Sequence, residues 1–241
     1  MKTIGLLGGM SWESTAVYYR LINEGVKARL GGLHSAKLVL YSVDFQEIEE
    51  LQHAADWVEA GKVLAKAAHF LQLAGADFLV ICTNTMHKVA PAIEREINIP
   101  ILHIADATAA VIKGLGIRTV GLLATRFTME QDFYTGRLRE KHGLQVLIPD
   151  ENERERVHQI IYNELCLGKV LNESRGEYCH IIRSLAQRGA EGIILGCTEI
   201  AMLIGQKDSP VPLFDTTRIH AQKAVDWAIE GVHPNTDSSN R

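Results

Sequence analysis

Short apolar runs bounded by glycine or proline alternate along the chain with longer stretches in which apolar residues recur every third or fourth position. The short runs suit strands buried on both faces, and the longer stretches have the period of amphipathic helices. Strands are predicted at 3–7, 38–43, 78–82, 101–104, 119–123, 145–148, 192–195 and 211–214, and the clearest helices at 57–73 and 172–187. Strand and helix in alternation build a parallel α/β sheet.

The pattern is written twice. Lys2-Thr-Ile-Gly-Leu-Leu-Gly-Gly9 is matched by Arg118-Thr-Val-Gly-Leu-Leu-Ala-Thr125. Gly75-Ala-Asp-Phe-Leu-Val-Ile-Cys-Thr-Asn84 is matched by Gly189-Ala-Glu-Gly-Ile-Ile-Leu-Gly-Cys-Thr198, and Pro100-Ile-Leu-His103 by Pro212-Leu-Phe-Asp215. These segments predict two homologous open parallel-sheet α/β domains related by a pseudo-two-fold axis. The expected boundaries are 1–103 plus 216–241 for the first and 104–215 for the second. Ligands of open α/β sheets bind beyond the carboxyl ends of the strands, so the expected site is the cleft between the two halves. Residues at the repeated strand ends are therefore the first candidates for chemistry. The polar tail after Val232 is expected to fray.

Composition narrows the function classes. The 241 residues are 46% hydrophobic and 22% charged, with a net charge of −4. Nothing here suits nucleic acid as a partner. The opening Met1-Lys-Thr-Ile-Gly-Leu-Leu-Gly-Gly-Met10 lacks the continuous apolar core of a signal peptide, and no apolar run approaches the roughly 20 residues needed to span a bilayer. A cytoplasmic protein without membrane contacts is expected. Its cysteines, Cys82, Cys166, Cys179 and Cys197, show neither Cys-x-x-Cys nor zinc-finger spacing. They read as free thiols, with Cys166 and Cys179 as small buried side chains.

The third strand of each half ends in the most informative sequence. The first runs Ile81-Cys82-Thr83-Asn84-Thr85-Met86-His87 and the second Leu195-Gly196-Cys197-Thr198-Glu199-Ile200. Aligned from the shared Gly-Ala, Thr83 stands opposite Cys197, and Cys82 opposite Gly196. Each precedes an expected helix start, whose free N–H groups favour an anion and lower the pKa of a thiol. Gly8-Gly9-Met10-Ser11, which is not a dinucleotide fingerprint, is expected to turn backbone N–H groups toward a carboxylate. Thr125-Arg126-Phe127-Thr128 is its counterpart in the second half, with hydroxyls suited to a carboxylate or to helix capping. His87, one turn after Thr83, reads as a helix-packing or capping residue with catalytic assistance as the alternative. Glu199 either orients the cysteine region or serves as a dipole partner. His34, His69 and His142 have no metal or triad spacing.

Thr83-Asn84-Thr85 with His87, the Gly196-Cys197-Thr198-Glu199 run and the opening Gly8-Gly9-Met10-Ser11-Trp12-Glu13-Ser14-Thr15 resemble the aspartate/glutamate racemase family over nearly the whole chain, closest to its aspartate-racemase branch. The resemblance implies an amino-acid racemase without pyridoxal phosphate or metal, assembled as a homodimer. In that family two thiols, one per half, stand on opposite faces of the substrate α-carbon. One removes the α-proton and the other returns a proton from the far side. The resemblance implies Cys197 and Thr83 as the catalytic pair. It gives Met10, Ser11, Gln52, Asn84, Thr85, Thr125, Thr128, Lys169 and Thr198 as substrate contacts. A solvated helix residue is the alternative for Gln52, and an exposed lysine for Lys169.

The chain departs from the family at one place: Thr83 stands where the first cysteine is expected. Cys82 does not substitute, because successive strand residues point to opposite sides. Slow or one-sided racemisation, with L-substrates as the enantiomer served by Cys197, is the resulting expectation. The alternatives are a related one-thiol enzyme (hydantoin racemase, maleate isomerase or arylmalonate decarboxylase type) and a two-lobed small-molecule binding protein.

Overall fold

The computed structural model describes residues 1–232; the expected frayed tail lies outside the described residues. The chain divides into two compact units. Among the described residues the first comprises Met1–Cys82, Val89–Leu102 and 220–232, and the second Thr83–Lys88 and His103–Ile219. This division departs from the expected boundaries by giving 83–88, His103 and 216–219 to the second unit. Side-chain bonds account for that: Asn84 and Thr85 bind Thr216, Thr125 and Thr128, all of the second unit.

The first unit holds β1 (Ile4–Gly8), β2 (Leu38–Ser42) and β3 (Phe78–Ile81), in the order β2-β1-β3 and all parallel. β1 and β3 are apolar and buried throughout, whereas β2, at the sheet edge, exposes Leu40 and Tyr41. The expected strand 101–104 contracts to a single parallel bridge between Leu79 and Ile101. It stops there because His103 caps the helix Ile104–Gly114, its Nδ1 accepting from the Ala105 N–H at 3.2 Å.

The second unit holds β4 (Thr119–Leu123), β5 (Gln145–Leu147), β6 (Gly192–Leu195) and β7 (Leu213–Asp215), all parallel in the order β5-β4-β6-β7. The other predicted strands are present, with ends shifted by a residue or two. The predicted helices coincide with Trp57–Leu73 and Asn172–Gln187.

The repeat extends to atomic packing. A Cβ on Gly5 would lie 3.5 Å from Leu71 Cβ, and one on Gly121 would lie 3.4 Å from Leu185 Cβ. Gly5 and Gly121 are matched in the sequence repeat, and Leu71 and Leu185 each stand 4 residues before its Gly-Ala. In each unit, then, the same helix comes down on the first strand at a residue with no side chain. The acid that follows Gly-Ala is also reused: Asp77 accepts from the Thr3 N–H at 2.6 Å and Glu191 from the Thr119 N–H at 2.8 Å. Among the described residues no helix is long and apolar enough to cross a membrane.

Candidate active site

The backbone fixes the equivalence of the two strand ends. Cys82 N–H donates to Leu7 O at 2.9 Å, and Gly196 N–H donates to Leu123 O at 2.7 Å. Leu7 and Leu123 are matched positions of the repeat, so Cys82 corresponds to Gly196 and Thr83 to Cys197. The Cys82 position faces a core in both units. Its side chain is wholly buried in a cluster with Phe78, Val80 and Leu102, and burial pushes its thiol far above the ordinary value. A Cβ on Gly196 would come within 2.9 Å of Ala124 Cβ.

One residue on, the chemistry changes. Cys197 is half-buried, and its Sγ donates to Glu199 Oε2 at 2.9 Å. Burial first, and then the negative charge of Glu199, raise the thiol well above the ordinary value. The expected lowering by a helix start is therefore reversed. The helix after Cys197, Ile200–Leu203, has 4 residues, too few to align a substantial dipole, and Glu199 at its cap makes no capping bond. After Thr83 the chain likewise enters only a 3-10 segment, Thr85–Val89.

Around these ends the second unit gathers a buried set of neutral polar groups. The hydroxyls of Thr85, Thr125 and Thr128 form a triangle with O–O distances of 3.1, 3.3 and 3.3 Å. Thr125 precedes the helix Arg126–Glu130, yet its side chain makes no capping bond and joins the triangle instead.

Asn84 is oriented by proton counting. The Thr216 hydroxyl gives its one proton to Leu195 O at 2.9 Å, so its oxygen can only accept from Asn84 Nδ2, 3.0 Å away. That turns Asn84 Oδ1 elsewhere, where it is buried without a hydrogen-bond partner. An unsatisfied buried acceptor is uncommon and invites a donor from a ligand. Thr198 accepts from the Thr217 hydroxyl at 3.1 Å. Thr216 and Thr217 escaped the sequence reading. Their one signal is that they follow Asp215, the counterpart of His103 in the repeat, and like His103 it caps a helix two residues on. His87 Nδ1 lies 2.8 Å from Thr83 O, and its Nε2 accepts from the Ile104 N–H at 3.2 Å.

Other expected contacts fare differently. Lys169 is exposed on the loop after Gly168. In the first unit Met10 and Ser11 are buried at a cis Met10–Ser11 peptide, and Ser11 Oγ caps the helix Trp12–Leu30 by accepting from Ser14 N–H at 3.3 Å. The Gly9 N–H expected to serve a carboxylate instead donates to Thr15 Oγ1 at 2.8 Å. Gly9 has φ of 94°, and a Cβ there would sit 2.2 Å from Val43 O, so its role is close passage of the chain. Gln52, on the helix Phe45–His53, is buried rather than solvated. Among the described residues no group of three or more His, Cys, Asp or Glu side chains is arranged to hold a metal ion.

The chain is 58% identical to a candidate Asp/Glu racemase of Yersinia pestis, with a TM-score of 0.91 over 95% of this chain and 100% of that one. An aspartate racemase homologue from Pyrococcus horikoshii OT3 is 37% identical, with a TM-score of 0.83 over 95% of this chain and 99% of that one. The broad specificity amino-acid racemase RacX of Bacillus subtilis (strain 168) is 23% identical over 227 residues, 92% of this chain and 96% of its own. Residues 7–224 match the family described as Asp/Glu/hydantoin racemase. The chain belongs to the Asp/Glu/hydantoin racemase family.

Proposed function

We propose that this enzyme is an amino-acid racemase that removes the α-proton of an L-amino acid with Cys197 and returns a proton to the opposite face from Thr83, using neither pyridoxal phosphate nor metal. Aspartate and glutamate are the first substrates to test, in keeping with the family. The observation that carries the reading is the pairing of Thr83 and Cys197 at equivalent strand ends, with a carboxylate 2.9 Å from the sulfur.

The steps balance as follows. Cys197 rests as a thiol and passes its proton to Glu199. The resulting thiolate takes the α-proton of the bound L-substrate and leaves a carbanion. The carbanion is reprotonated either by the same thiol, which returns the L-form, or by the Thr83 hydroxyl, which yields the D-form. Solvent then reprotonates the Thr83 alkoxide, and Glu199 releases the proton it took from Cys197 to solvent, which returns the thiol, the carboxylate and the hydroxyl to their starting states. An alkyl hydroxyl is far too weak an acid to be an alkoxide near neutral pH, so Thr83 can return a proton to the strongly basic carbanion but cannot, as a resting hydroxyl, take one from the substrate. The two faces of the substrate are thereby unequal.

Binding follows from the same polar set. Asn84 Oδ1 accepts from the substrate ammonium, which satisfies the buried acceptor. The hydroxyls of Thr85, Thr125 and Thr128, turned out of their triangle, donate to a carboxylate, and Thr198 adds another donor. The test is α-deuterium wash-in from heavy water, with protein treated with chelator and carbonyl reagents, over a panel of L- and D-amino acids. Exchange of L-aspartate or L-glutamate is the expected result. No exchange with any amino acid, or exchange only after pyridoxal phosphate or a divalent metal is added, would overturn the reading.

A further inference from the structure

His87 is 2% exposed, and both its ring nitrogens are committed to backbone groups of the second unit. The Ile104 N–H, 3.2 Å from Nε2, can only donate, so Nε2 holds a lone pair. The Thr83 carbonyl, 2.8 Å from Nδ1, can only accept, so Nδ1 carries the hydrogen. The two requirements agree on a single neutral tautomer. The ring of His103, centred 4.5 Å away at an angle of 56°, packs against it, and that ring's own Nδ1 is held by the Ala105 N–H. His87 thus ties the main chain of Thr83 to the start of the helix Ile104–Gly114.

No strand partner does that for Thr83, since β3 ends at Ile81. Its Cα–Cβ direction is set by its own backbone torsions, and the carbonyl that reports them is the one His87 holds. From this geometry we propose that His87 is a positioning residue, which aims the Thr83 hydroxyl by donating from Nδ1 to the Thr83 carbonyl. The proposal rests on the function proposed above and adds a residue to it. His87 acts only on the Thr83 side, so its loss weakens inversion more than exchange on the Cys197 side.

Two variants separate positioning from plain helix capping. In His87→Asn the amide N–H falls near the place of Nδ1–H and keeps the bond to Thr83, while the acceptor for Ile104 is lost. In His87→Gln the longer amide reaches the place of Nε2 and keeps the acceptor for Ile104, while the donor to Thr83 is lost. With L-substrate in heavy water, α-deuteration and inversion are followed separately for the wild type and both variants, with thermal melts as a fold check. Positioning predicts that His87→Gln lowers the ratio of inversion to exchange by about tenfold or more, and that His87→Asn keeps the ratio within about threefold of wild type. A His87→Gln ratio equal to wild type, or a larger fall in His87→Asn, would overturn the proposal in favour of capping alone. Absence of exchange in the wild type would overturn the proposed function instead. The His87 proposal would then be decided by the crystal structure of His87→Gln: an unmoved Thr83 carbonyl and side chain would overturn it, and a turned Thr83 would support it. Nitrogen-15 spectra of the wild-type ring must also show the hydrogen on Nδ1; a hydrogen on Nε2 would overturn it.

Discussion

The ends of β3 and β6 share a backbone and differ in chemistry. Both leave the sheet through the same hydrogen bond to the first strand of their unit, and in both the next side chain is only partly buried. At the end of β6 that side chain is a thiol against a buried carboxylate; at the end of β3 it is a hydroxyl whose main chain is held by a histidine. The lesson is that a repeated fold fixes where two groups stand without making them equal acids. A thiol and an alkyl hydroxyl at matched positions accept and donate protons with very different ease. In the proposed reaction that inequality separates proton exchange from inversion.

The comparison is broken most completely at Cys197. Cys197→Ser should put hydroxyls at both strand ends and abolish α-proton exchange, a loss of about 10²–10⁴-fold or more, with the fold retained by circular dichroism. Cys82→Ser, made in parallel, should leave the chemistry intact, because the Cys82 side chain is enclosed in the core cluster. Inactivation by Cys82→Ser in a folded protein, with Cys197→Ser still active, would show that the roles assigned to the strand ends are reversed.

The converse change makes the two ends alike. Thr83→Cys should raise two-way inversion by at least about tenfold, or about 1.4 kcal/mol of barrier, measured by optical rotation from either enantiomer. No gain in a folded variant would mean that Thr83 already serves as a full base, or that inversion does not pass through it.

A smaller effect is expected from the carboxylate. Burial and Glu199 both raise the Cys197 thiol, and the base is the deprotonated form. Activity should therefore fall as pH drops and keep rising on the alkaline side of the ordinary thiol range. Glu199→Gln removes the second cause and leaves burial, so thiolate formation should move to lower pH. Alkylation of Cys197 followed against pH reads that shift directly. An unchanged profile would show that Glu199 does not act on the thiol.

Much of the fold was legible because both signals that specify it are periodic. The apolar runs and the helices at 57–73 and 172–187 declare their burial by spacing alone, and the repeat fixes which strand ends correspond. The strand expected at 101–104 was misread because an apolar run bounded by proline does not show that His103 will turn into a cap. The sign of the Cys197 shift was also misread. A strand-to-helix turn in sequence does not reveal a helix of 4 residues or a carboxylate folded back onto the sulfur. Nor does spacing announce Thr216, which reaches the site from 132 residues beyond Asn84 and orients its amide.

The central claim, that one face of the substrate is served by a base and the other only by a proton donor, is tested most directly on the unaltered enzyme. Enantiomers have equal free energies, so net inversion must have the same kcat/KM from either side, and optical rotation alone cannot show the asymmetry. Exchange can. In heavy water, with α-deuteration and optical rotation recorded together, the L-enantiomer should gain deuterium much faster than it loses rotation. The D-enantiomer should gain deuterium only slowly and only as it inverts. Equally fast deuteration of both enantiomers would contradict the account, because it would require a base at the end of β3 as competent as Cys197.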